Sequence, residues 1–199
     1  MAPGLLSLIL LALAVGPAIS SVAAENKSTE FVRRSCGATL YPDLCWASLS
    51  PYAAAVQQSP LNLAAAAANV SLGAITEAAL RAAALLRRSG GRTARELTKQ
   101  SAAELRRLVG ELKNGGPGLA WRVSNALTWM SAALTNEDTC LEGLNDCSPP
   151  AEARSFCGGI RQTKMYTSNA LALVLVSVLS FPSISFLAMH YDTKIGFVF

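Results

Sequence analysis

Trp129 to Gly143 reads W-M-S-A-A-L-T-N-E-D-T-C-L-E-G. Its apolar residues recur at helical spacing, and Cys140 stands inside that pattern. A cysteine set in a helix, in a chain whose front end reads as a secretion leader, points to a disulfide-stapled helical bundle rather than to an enzyme. The helix holding this stretch is expected from about Leu119 to Leu144, with Val123, Leu127, Met130, Leu134 and Leu141 near one face.

Upstream, Thr93 with Glu96 three residues later reads as a capping box. The helix it opens has an apolar stripe of Leu97, Leu105, Leu108 and Leu112, with Ser101 on the same stripe, and it stops at Asn114-Gly115-Gly116-Pro117-Gly118. Before it, Ser59-Pro60 opens a longer helix. Its predicted seam is Leu61, Ala65, Ala68, Leu72, Ile75, Ala79, Ala82 and Leu86, and it ends in Arg87-Arg88-Ser89-Gly90-Gly91. Thr29–Arg34 and Pro42–Gln57 are expected as short helices around Cys36 and Cys45, with Pro42 in a first turn. The closeness of the two cysteines predicts a bond that makes the pair a hairpin. Downstream, a helix from near Ala151 carries Phe156, Ile160, Leu171 and Val174 inward. Four amphipathic helices on short loops give an all-α, up-and-down four-helix bundle with an N-terminal helical hairpin.

Residues 1–24 read as a signal peptide: Leu5 to Val15 is apolar, Val22-Ala23-Ala24 offers small residues for cleavage, and the first charge is Glu25. The predicted location is therefore secreted. Asn26-Lys27-Ser28 and Asn69-Val70-Ser71 are N-glycosylation acceptors, at Asn26 and Asn69. From Tyr166 to Met189 no residue is charged. Pro182 and four serines break that run, which favours a core helix ending near Ser180 over a membrane anchor. Residues 175–199 are expected to form a divergent hydrophobic tail.

The residues for chemistry are sparse. His190 is the single histidine, and it lies in the tail. Asp138 and Glu142 share a helix face while Glu137 and Asp138 do not, and this acidic group reads as a solvated surface rather than a glycosidase pair. No glycine-rich phosphate loop, metal-spaced Cys/His set or basic-aromatic footprint is present, so we expect no cofactor, no metal and no nucleic-acid partner. The net charge of +4 leaves room for an acidic partner such as an anionic polysaccharide.

The C-x8-C pair with Tyr41-Pro42-Asp43-Leu44-Cys45, the stretch Trp129 to Gly143, and Thr167 to Val174 (T-S-N-A-L-A-L-V) stand in that order behind the leader. Together they resemble the plant invertase/pectin methylesterase inhibitor family over residues 29–174. The resemblance implies a four-helix bundle that inhibits a cell-wall (apoplastic) or vacuolar carbohydrate-active enzyme by stoichiometric docking at its substrate cleft. It also implies a staple between the second helix of the bundle and Cys140, and places Ser101 where the partner cysteine would stand. Loss of such a bond costs on the order of 2–5 kcal/mol in a small secreted domain. Cys147 and Cys157 are extra. Our reading pairs them across Pro149-Pro150 and leaves Cys140 unpaired, with Cys140–Cys147 and Cys140–Cys157 as alternatives.

The implied target is pectin methylesterase, with acid invertase as the alternative. In some invertase inhibitors of the family a Pro-Lys-Phe tripeptide enters the active site, and this chain contains none. Thr135, Asn136, Asp138 and Thr139, which flank Cys140, are the candidate partner interface. A truncated pro-region of a larger enzyme, or a structural bundle that no longer inhibits, are the further readings of the same scaffold.

Overall fold

A computed structural model describes residues 26–85, 92–113, 118–145 and 151–179. The expected signal peptide, the residues after 179, and the linkers holding Ser89-Gly90, Gly115-Gly116 and Cys147 lie outside these. All described regular structure is helical: α1 (residues 26–36), α2 (Pro42–Leu49), a 3-10 turn (Ser50–Tyr52), α3 (Ala53–Val56), α4 (Pro60–Leu85), α5 (Arg92–Lys113), α6 (Leu119–Asn145) and α7 (Ala151–Leu179).

The four long helices form a closed ring. α4 packs against α5 and α7, and α6 packs against the same two. This is the up-and-down bundle expected from short connections. α5 buries Leu105, Leu108 and Leu112 as its pattern foretold, with Ser101 fully buried among them and Leu97 at the margin. α5 begins at Arg92, so Thr93 is inside the helix rather than capping it.

α4 differs from its expected seam. The buried stripe is Leu63, Ala64, Ala67, Ala68, Ser71, Ile75 and Ala78. Leu61, Ala65, Leu72 and Ala79 are only partly covered. Five consecutive alanines, 64–68, give the pattern no contrast, so the helix can turn toward α5 and α7 with little change in buried side-chain area. Leu80 consequently stands 69% exposed. By length and composition Pro60–Arg81 could cross a membrane, yet it is the helix that α5 and α7 flank. Ser59 opens α4, its Oγ accepting the Asn62 N–H at 3.2 Å. In α7 the inward leucine is Leu173 rather than Leu171, beside the expected Phe156, Ile160 and Val174.

The N-terminal hairpin packs against α4 and α7. Pro42 starts α2, where its missing N–H costs nothing. The Cys36–Cys45 disulfide is formed, with the Cα atoms 5.4 Å apart. Arg33 lies over the Trp46 ring, 4.2 Å from its centroid, and ties α1 to α2 a second time. Between the two helices, Thr39 Oγ1 donates to the Cys36 carbonyl at 2.8 Å. Two consecutive left-handed residues, Gln57 (φ 50°) and Gln58 (φ 60°), turn the chain out of α3 toward α4.

Candidate functional site

α6 is the helix that both covers the core and faces outward with a distinctive surface. Its inward stripe is Val123, Ala126, Met130, Ala133, Glu137 and Cys140. Opposite that stripe lie Trp121, Ser124, Thr128, Ser131, Thr135 and Thr139, at spacings of three and four residues. Trp121 is 71% exposed, the highest of the large hydrophobic side chains among the described residues. Thr128, Thr135 and Thr139 each donate to a carbonyl one turn back, at 3.1, 3.0 and 2.9 Å. Their protons are thereby used, and the face offers hydroxyl oxygens and methyl groups. At a rise of about 1.5 Å per residue this uncharged ridge runs roughly 27 Å.

The four residues named from sequence divide on this helix. Thr135 and Thr139 are exposed on the ridge. Asn136 and Asp138 are partly covered at its flanks, and Asp138 forms an ion pair with Lys164 of α7. Trp121 was missed because an aromatic in a helical pattern ordinarily reads as core.

Glu137 corrects the sequence reading. It was grouped with a solvated acidic surface, yet it is 1% exposed. Its Oε1 accepts from Ser101 Oγ on α5 at 2.8 Å and lies within hydrogen-bond distance of Thr167 Oγ1 on α7, at 3.1 Å. Burial pushes its carboxyl from an ordinary 4.5 up to about 7. The Ser101 and Thr167 hydrogen bonds oppose that rise, as does Lys164, and Asp138 adds to it. Ser101 thus faces Glu137 and not Cys140. The Ser101–Glu137 and Arg107–Trp129 contacts, the latter 4.9 Å from guanidinium to ring centroid, set the antiparallel register of α5 and α6. That register puts Cys140 level with Leu97 and Thr98, about a turn earlier on α5 than the position inferred from the resemblance.

Cys140 is buried, and burial, with Cys157 and Glu137 adding, raises its thiol to about 11. Such a thiol is almost entirely un-ionised and a poor nucleophile at ordinary pH. Cys157 is a free thiol in this structure, and the partner proposed for it, Cys147, lies outside the described residues. Asn26 and Asn69 are both exposed, while the hydroxyl residues of their triplets, Ser28 and Ser71, are buried at 6% and 0%. Any glycan at either site would have to be added before the bundle closes.

A depression lined by Ser48, Tyr166 and Asn169 among others holds about 170 Å³ including its open mouth. Small-molecule sites begin at roughly 300 Å³. Among the described residues no group of three or more His, Cys, Asp or Glu side chains is placed to hold a metal ion.

The family described as "Plant invertase/pectin methylesterase inhibitor" matches residues 30–173. A protein of Daucus carota named 21 kDa protein is 35% identical over 182 residues, covering 84% of this chain and 92% of the relative. Pectinesterase inhibitor 3 of Arabidopsis thaliana is 34% identical, covering 75% and 80%. Pectinesterase inhibitor 9 of the same plant is 31% identical, covering 83% and 89%. No solved structure matches the chain.

Proposed function

Because the chain belongs to the plant invertase/pectin methylesterase inhibitor family, we propose that it inhibits a pectin methylesterase by docking one to one over the enzyme's substrate cleft. It acts as an inhibitor and not as an enzyme, in keeping with the named relatives. The observation that carries the docking reading is the outward face of α6, where exposed Trp121 heads an uncharged ridge of Ser124, Thr128, Ser131, Thr135 and Thr139. A tryptophan amid neutral small side chains is the composition of an interface anchor with its water-excluding surround. Neutral hydroxyls and methyls also suit a cleft shaped for a polysaccharide. We place the protein outside the cell, in the plant cell wall, where such an enzyme meets its substrate.

The test is the initial rate of a plant pectin methylesterase titrated with the purified chain at mildly acidic pH. Loss of rate saturating near one inhibitor per enzyme supports the proposal. No loss with a folded preparation, together with inhibition of an acid invertase, would move the target to invertase.

A further inference from the structure

Glu137 joins three helices through an environment arranged for a neutral carboxyl. Ser101 and Thr167, its two partners, are each 0% exposed. Thr167 Oγ1 lies within hydrogen-bond distance of two acceptors, Glu137 Oε1 at 3.1 Å and the Thr163 carbonyl at 3.0 Å. One hydroxyl proton cannot serve both at full strength. A proton on the carboxyl resolves the count. It is given to the Thr167 oxygen, whose own proton goes to Thr163, while Ser101 donates to Oε1. The other oxygen, Oε2, is buried without a hydrogen-bond partner. A carbonyl oxygen tolerates that position far better than half of a carboxylate does.

The charged groups around the site do not offer Glu137 a counter-ion of its own. On α6, Asp138 pairs with Lys164 of α7. Arg154 and Arg161, the other described charges of α7, are exposed. On α5, Arg95, Glu96, Lys99, Arg106 and Arg107 are exposed, and Glu104 pairs with Arg107. On α4 the described charges are Glu77 and Arg81, exposed and paired with each other. Cys140, one turn along α6, is held un-ionised.

We propose that Ser101, Glu137 and Thr167 form an acid-closed clasp, joining α5, α6 and α7 while the surroundings are acidic and loosening that joint once they turn alkaline. The upward displacement of the carboxyl, to about 7, agrees with this. A carboxyl raised on folding contributes stability that is complete below its unfolded value, near 4.5, and is lost as pH rises through about 7.

The experiment is therefore denaturant unfolding of the full chain at pH 5 and pH 8, with no target enzyme present. For the wild type the folding equilibrium should be on the order of a hundredfold less favourable at pH 8. Glu137→Gln keeps a donor and an acceptor without a titrating proton, and should remove most of that difference. Parallel wild-type and Glu137→Gln profiles would overturn the proposal. Should Glu137→Gln fail to fold, Ser101→Ala decides: it removes a donor that favours the ionised form, so the loss of stability must shift to higher pH. An unmoved or acid-shifted loss would equally overturn it. Neither result bears on whether the chain inhibits an esterase at acidic pH.

Discussion

Asn169 of α7 and Tyr41, the residue before α2, exchange two hydrogen bonds across 128 positions of sequence. The Asn169 Nδ2 donates to the Tyr41 carbonyl at 2.9 Å, and the Tyr41 N–H donates to Asn169 Oδ1 at 3.0 Å. One side chain thereby replaces a backbone partner at the point where the hairpin meets the bundle. Asn169 is itself 2% exposed.

Replacing it by alanine leaves a covered N–H and a covered C=O without their partner. Asn169→Ala should destabilise the protein by about 2–3 kcal/mol, read as a lower thermal midpoint. Asn169→Asp should be nearly as costly, since a carboxylate oxygen then faces the Tyr41 carbonyl. A loss under about 0.5 kcal/mol for both would mean that water replaces the pair freely.

The Cys36–Cys45 bond closes a short loop, with a sequence separation of 9. In the loop-entropy account its removal by Cys36→Ser with Cys45→Ser costs about 2–3 kcal/mol. Limited proteolysis should then cut first in residues 26–56 while α4 to α7 stay protected. Simultaneous loss of protection throughout would show that the hairpin and the ring unfold as one unit.

On the docking face, Trp121→Ala should weaken inhibition of a pectin methylesterase at least tenfold, with the thermal midpoint almost unchanged because the ring is already 71% exposed. Thr135→Arg and Thr139→Arg place bulk and charge on the ridge and should act in the same direction. Inhibition constants measured beside unfolding midpoints separate the two effects. Undiminished inhibition by all three variants would remove the α6 face from the contact.

Cys147 follows Glu137 by ten residues, and Cys157 precedes Thr167 by ten. The sequence reading pairs these two cysteines with each other, whereas Cys157 is a free thiol in the structure. Denaturing, non-reducing alkylation should then label Cys157 together with Cys140. Labelling of Cys147 would exclude that pairing. In the folded state Cys140 should react orders of magnitude more slowly than a free thiol, because it is covered and un-ionised.

The sequence disclosed helix ends better than helix rotation. Gly115-Gly116-Pro117 and Ser59-Pro60 punctuate the chain through backbone constraints that act locally. On α5 the buried leucines Leu105, Leu108 and Leu112 were legible because they contrast with the arginine, glutamate and lysine around them. α4 was not, since alanine occupies every side and the choice of face falls to the packing of α5 and α7. Glu137 was misread because Glu137-Asp138 looks like any wet helix surface, and its partners stand 36 and 30 residues away. Asn169 lies within the quoted T-S-N-A-L-A-L-V stretch, but its role depends on a carbonyl and an N–H at Tyr41 that no side-chain pattern announces.

The hydroxyl ridge of α6 has a consequence for the medium in which this protein works. Attraction between opposite charges is screened by mobile ions, at about 8 Å in physiological salt and less in a more concentrated solution. A surface that carries Trp121 and five hydroxyl side chains gains little from long-range attraction and therefore loses little when ions accumulate. Divalent cations that bind the carboxylates released by ester hydrolysis would leave its hold on a partner intact.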